Sequence, residues 1–172
     1  MLTRQVGNMS QVKLIKGYLK NAEEIVKLAE KEKNKFSFRA KNEKYNFSTE
    51  YGDSHMKSLF YFDMSEELKE AIFKTLPEKD KTADAFVINR YDPGDYLQRH
   101  KDSIGGYWKF KLIYLQSDKP HFIWYDQDGK ANLVEEEPGA YLEMPIDIEH
   151  EVTEIGQNEC PKYSLVLSWG YR

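Results

Sequence analysis

From Ala85 onward the chain alternates short apolar runs with turn residues, a rhythm that predicts strands at 85–91, 95–100, 108–116, 121–125, 131–135, 140–143, 149–155 and 162–169. The breaks between them, Asp92-Pro93-Gly94, Asp126-Gln127-Asp128-Gly129 and Glu137-Pro138-Gly139, are turn chemistry. Two of the runs have sharply different faces. Ala85, Val87, Asn89 and Tyr91 share one side of the first. In the last, Lys162, Ser164, Val166 and Ser168 share one side, while Tyr163, Leu165, Leu167 and Trp169 make an ordinary core face on the other. Eight short strands predict a sandwich or barrel such as a jelly roll. The chain before them reads differently. Asn21 opens a helix as N-cap, with Glu24 three residues on and Ile25, Leu28 and Ala29 at helical spacing. Ser65 opens a second, in which Leu68, Ile72 and Leu76 form the buried stripe and Pro77 closes it. Between the two, Phe36-Ser37-Phe38 and Tyr45-Asn46-Phe47 alternate like short strands. The expected fold is mainly β (α+β), one domain over 1–172, with a helical and mixed support in 1–84 packed outside one sheet of an 85–170 core.

Composition narrows the function. The 172 residues are 14% aromatic and 40% hydrophobic, enough for a sizeable core. No run of 18 apolar residues occurs and the N-terminal residues lack a secretory core, so the expectation is a cytoplasmic protein without membrane contact. A single cysteine, Cys160, excludes an internal disulfide and a multi-cysteine metal site. The net charge of −4 is uneven: residues 1–86 carry 16 Lys/Arg against 14 Asp/Glu, residues 87–172 carry 9 against 15. The strand-rich half is the acidic one, which argues against a long phosphate-tracking surface there.

Within that half, His100-Lys101-Asp102 places an imidazole and a carboxylate two residues apart, on the same face of an extended chain. His150, in Ile148-Glu149-His150-Glu151-Val152, is the best third ligand. Two histidines and one carboxylate on one side of a metal leave the other side open, the arrangement suited to non-haem Fe(II) oxygenases.

The stretch Asn89-Arg90-Tyr91-Asp92-Pro93-Gly94-Asp95-Tyr96-Leu97-Gln98-Arg99-His100-Lys101-Asp102 resembles the Tyr-x-x-Gly and His-x-Asp signature of the 2-oxoglutarate/Fe(II)-dependent dioxygenases. Tyr114-Leu115-Gln116 is similar to a Tyr-Leu-Asn strand of their prolyl 4-hydroxylase branch. Glu137-Pro138-Gly139-Ala140 and the His150 segment resemble the family's Pro-Gly turn and distal His-x-Val, and Lys162-Tyr163-Ser164 stands where an Arg-x-Ser is usual. The resemblance spans 85–170. It implies a double-stranded β-helix, with Fe(II) held by His100, Asp102 and His150 as the catalytic centre. It further implies 2-oxoglutarate as cosubstrate, held by Lys162, Ser164, Tyr91, Tyr114 and Asn89. O₂ would be consumed, 2-oxoglutarate decarboxylated to succinate and a C–H bond hydroxylated, with ascorbate as reductant. Lys162 is the expected partner of the cosubstrate's far carboxylate, because a buried unpaired carboxylate is costly. Lys departs from the commoner Arg and matches the collagen-type prolyl hydroxylases; as a point charge it needs help from Tyr114 and Ser164. Lys111, a rival cation, falls on the opposite strand face from Tyr114.

The expected substrate is a prolyl or other residue of a peptide or protein, acted on by a monomer. AlkB-like oxidative demethylation of nucleic acid is the main alternative, favoured by Asn89-Arg90-Tyr91 and the nine-residue step from Tyr91 to His100. Ser168 in place of that branch's second Arg and the acidic catalytic half oppose it. A non-catalytic jelly-roll binding module is the third reading. Ser103, Gly105 and Gly106, directly after the metal motif, predict a mobile rim loop at the substrate entrance. His55 and His121 read as surface or packing histidines, Glu135-Glu136-Glu137 as a solvated turn, and Cys160 as an inert thiol.

Overall fold

The computed structural model describes residues 12–38, 55–102 and 107–170. The expected strand at Tyr45–Phe47 and the rim residues Ser103, Gly105 and Gly106 lie outside them. The early strands are β1 (Lys13–Ile15), β2 (Ser37–Phe38) and β3 (Lys57–Phe60). The eight strands expected from 85 onward follow as β4 (Ala85–Tyr91), β5 (Leu97–His100), β6 (Tyr107–Gln116), β7 (Phe122–Tyr125), β8 (Ala131–Leu133), β9 (Tyr141–Pro145), β10 (His150–Val152) and β11 (Lys162–Gly170). They form two antiparallel sheets, one in the order β1-β9-β6-β11-β4-β3-β2 and the other β5-β10-β7-β8. This is the jelly-roll architecture expected from the strand rhythm.

The larger sheet is covered on both faces, which is why its central strands are buried almost end to end. Its outer face, with Phe86, Ile88, Ile113, Leu115, Tyr163, Leu165 and Leu167, packs against the helices α1 (Ala22–Lys31) and α2 (Glu66–Thr75). Its inner face, with Tyr91, Phe110, Leu112, Tyr114 and Leu142, meets Leu97, Phe122 and Val152 of the smaller sheet. Alternation thus sorts each strand between a helix-side core and an inter-sheet core, and the candidate chemistry falls on the inter-sheet side.

The Pro138-Gly139 turn ties the support to the barrel. Gly139 takes φ +88° while Ala140 N–H donates to Glu137 O at 2.9 Å, a type II turn. A Cβ at Gly139 would stand 2.3 Å from Leu19 O, because the Gly139 carbonyl accepts the N–H groups of Tyr18 and Leu19. Its own N–H donates to Tyr114 O at 2.7 Å, so one turn fixes both the N-terminal segment and a site strand.

The two helix starts behave differently. Ser65 caps α2 as expected, its Oγ accepting from Leu68 N–H at 3.2 Å and donating to Glu32 Oε2 at 2.6 Å. Ser65→Ala is expected to cost about 1–2 kcal/mol, read as a lowered urea midpoint with unchanged slope. Asn21 stands at the N-cap position of α1 but makes no side-chain cap. Its amide instead donates to Ala71 O at 2.7 Å and to Glu24, and its Oδ1 accepts from Thr75 at 2.6 Å. Partners on α2 have outcompeted the local cap, and Asn21 holds the helices together.

Candidate metal centre

β5 and β10 are antiparallel neighbours, and their register pairs His100 directly with His150. That pairing brings together two histidines fifty positions apart. Their rings lie 4.5 Å apart, with Phe122 from β7 stacked on His150 at 5.4 Å and 20°. Each imidazole is oriented from behind by a backbone carbonyl: His100 Nδ1 lies 2.6 Å from Gln98 O and His150 Nδ1 lies 2.9 Å from Ile148 O. Both Nε2 atoms then face Asp102, at 3.0 Å from Oδ1 for His100 and 3.4 Å from Oδ2 for His150. A carbonyl on Nδ1 that leaves Nε2 free is the usual way a ligating histidine is held.

Burial lowers the His150 imidazole from its ordinary value, overcoming the opposite pull of Asp102. The neutral ring is the form that ligates a metal. The ligand atoms of the three residues all lie within 4.8 Å of one another. Two donors each about 2.1 Å from one ion and at right angles are about 3.0 Å apart, so the 3.0 and 3.4 Å spacings between Asp102 and the two imidazoles suit a single first-row cation.

The three residues line a cavity of about 600 Å³ between the sheets. Asn89, Tyr91, Lys162 and Ser164 line it with them, from adjacent strands in which Asn89 pairs with Ser164 and Tyr91 with Lys162. Tyr114 packs beside them, with Lys162 Nζ 5.0 Å from its ring centroid. Burial pulls the Lys162 ammonium down to about 7, and the carboxylate of Glu136 lies in contact with its Nζ. The Tyr114 hydroxyl is buried without a hydrogen-bond partner, and burial raises it well above its ordinary value, so it remains a donor. A cation beside an orphaned donor fits an anionic oxygen ligand, as the far end of 2-oxoglutarate requires. Two of the other groups already have partners: Asn89 Oδ1 accepts from Ser58 at 2.8 Å, and Tyr91 donates to Met56 Sδ at 3.5 Å.

Lys111 lies on the helix side of β6, paired with Asp80, as its strand position requires. His55 is exposed, whereas His121 is buried, with Nδ1 2.8 Å from Thr153 Oγ1 and Nε2 2.7 Å from Glu159 Oε1. Burial raises the Cys160 thiol to about 11, consistent with an unreactive group. The triple glutamate is not uniformly a solvated turn. Glu136 turns inward to Lys162, and no alternation or spacing in the sequence marks it, because it lies in irregular chain beyond β8.

No protein-family model and no curated protein matches the chain, but solved structures do. It is similar to a prolyl-4-hydroxylase from Pseudomonas putida, with TM-score 0.64 and 16% identity over 99% of this chain and 100% of the other. It is also similar to a Trichoplax adhaerens prolyl hydroxylase in complex with a hypoxia inducible factor peptide fragment (TM-score 0.71, 14% identity, covering 98% and 89%). A non-heme alpha-ketoglutarate-dependent carbocyclase of nogalamycin biosynthesis superposes with TM-score 0.69 at 10% identity, over 96% and 82%. The fold is therefore the one shared by prolyl 4-hydroxylases and other 2-oxoglutarate–Fe(II) oxygenases.

Proposed function

We propose that this chain is an Fe(II)- and 2-oxoglutarate-dependent oxygenase that hydroxylates a C–H bond of a prolyl or other residue in a peptide or protein. The observation that carries this reading is the meeting of His100 Nε2, His150 Nε2 and the Asp102 carboxylate in the cavity that Lys162 also lines. Bound iron would supply O₂ activation, converting 2-oxoglutarate, O₂ and the C–H substrate into succinate, CO₂ and the alcohol. The protein's share is positional. His100, His150 and Asp102 hold the ion from one side, while Lys162, with the Tyr114 and Ser164 hydroxyls, holds the far carboxylate of the cosubstrate. Asn89 and Tyr91 line the wall beside it. Leu97, Phe110, Leu112 and Phe122 make the cavity apolar and exclude water from the reacting atoms.

A peptide is favoured over nucleic acid by the rest of the lining. Phe60, Tyr61, Phe73 and Phe86 extend the cavity, and Lys81 and Lys162 are its only lysines or arginines among the described residues. A strand with its phosphates asks for more positive charge than that. The peptide bound in the Trichoplax enzyme lends support from a shared fold, whereas the carbocyclase is a reminder that this fold houses other outcomes.

The test is succinate formation by protein purified without oxygen and reconstituted with Fe(II), then given 2-oxoglutarate, O₂ and a panel of proline-containing peptides. The expected result is iron-dependent succinate, stimulated by peptide, with one oxygen atom added to the peptide by mass spectrometry. Stimulation by methylated single-stranded oligonucleotides instead would move the assignment to nucleic-acid demethylation. No succinate above background with any of these would remove the oxygenase assignment.

A further inference from the structure

Lys162 does not face the cavity as a bare cation. Its Nζ contacts Glu136 Oε1, with the lysine side chain 2% exposed and the glutamate side chain 0%. The neighbouring Glu135 side chain, by contrast, is 84% exposed. Glu136 is held firmly where it is. Val134 N–H donates to Phe122 O at 3.0 Å, keeping the segment beyond β8 alongside β7. Glu136 Oε2 accepts the backbone N–H groups of His121 and of Phe122, the latter at 3.2 Å. The carboxylate is thus anchored on one side by two main-chain donors and presents its other oxygen to the ammonium.

An ammonium has three N–H donors and can serve two carboxylates, but the second one meets a pair whose net charge is zero and whose anion lies close by. The far carboxylate of a dicarboxylic cosubstrate would be that second one. We propose that Glu136 is the resident counter-ion of Lys162 and competes with the far carboxylate of 2-oxoglutarate for its ammonium, setting both the affinity for the cosubstrate and its selectivity over 2-oxo acids that lack that carboxylate. This rests on the reading of the cavity as a 2-oxoglutarate site. Glu136 acts through Lys162, so it is a positioning residue, and its effect is specific to the charged tail of the ligand.

The test is calorimetric and needs no turnover. Wild-type and Glu136→Gln proteins, loaded with Mn(II), are titrated with 2-oxoglutarate and with 2-oxopentanoate, the same chain without the far carboxylate. The titrations are run at about pH 6, so that Lys162 stays protonated without its partner. Removing the competing anion is expected to tighten 2-oxoglutarate about tenfold or more while 2-oxopentanoate changes by less than about twofold. Should Glu136→Gln fold poorly, Glu136→Asp keeps the charge but draws it back by one methylene, and a smaller gain for 2-oxoglutarate alone is expected. An unchanged or weakened 2-oxoglutarate affinity, with both acids still bound, would overturn the competition and leave the oxygenase reading standing. Failure of 2-oxoglutarate to bind any metal-loaded protein would overturn both.

Discussion

Asp102→Ala is expected to lower the affinity for Fe(II) by at least about 100-fold, since losing even the hydrogen-bond partner of a ligand typically costs 10- to 100-fold. The fold should barely register the change. Asp102 lies just past the end of β5, its side chain is 22% exposed, and its carboxylate faces the two imidazoles. In the metal-free protein the substitution exchanges one partly solvated carboxylate for a methyl group, worth about 1 kcal/mol or less. His150→Ala should lose iron to the same degree but also leave a space beneath Phe122, so its melting temperature falls further. The measurements are iron content after dialysis and the thermal midpoint by circular dichroism. Stoichiometric iron in Asp102→Ala would show that the ion is not held here. Collapse of the fold with loss of the ion would instead mark a structural metal and favour the binding-module reading over an enzyme.

The candidate site was legible because strands make it so. A period of two puts His100 and Asp102 on one face, and the same period puts Lys162 and Ser164 opposite Tyr91 and Asn89. The jelly roll followed from turn spacing, and the two helices from their apolar stripes. What stayed hidden lacks a local signal. β1 is exposed along its whole length and exists because it pairs with β9, while Lys57–Phe60 has only Leu59 and Phe60 as apolar residues and becomes a strand beside β4. The cap expected at Asn21 lost to partners fifty residues away. Glu136 was invisible for the same reason: the distance between its place in the chain and Lys162 is closed by the roll itself. Residues outside regular elements follow tertiary contacts, which a pattern along the chain does not carry.

Lys111→Met is expected to destabilise the fold by about 3–5 kcal/mol, the cost of leaving one half of a buried ion pair alone. Lys111 and Asp80 are 2% and 3% exposed, and the ammonium binds both carboxylate oxygens, at 3.1 and 2.9 Å. It also lies 4.2 Å from the ring centroid of Tyr141 and 4.8 Å from that of Tyr18, so its hydrocarbon stem and charge are packed on every side. Methionine can fill the volume of the stem, and the damage then comes from the Asp80 carboxylate, stranded in a site it cannot leave. Removing that charge as well, in Lys111→Met with Asp80→Asn, should recover a large part of the loss, a coupling that a double-mutant cycle in urea reads directly. Equal losses in the single and double variants would locate the cost in packing instead. Iron and cosubstrate binding should survive in either variant, because Lys111 faces the helices while Phe110, Leu112 and Tyr114 face the cavity side of the same strand. The two buried lysines are thus separable by one readout each: Lys111 by the melting midpoint and Lys162 by the affinity for a dicarboxylate.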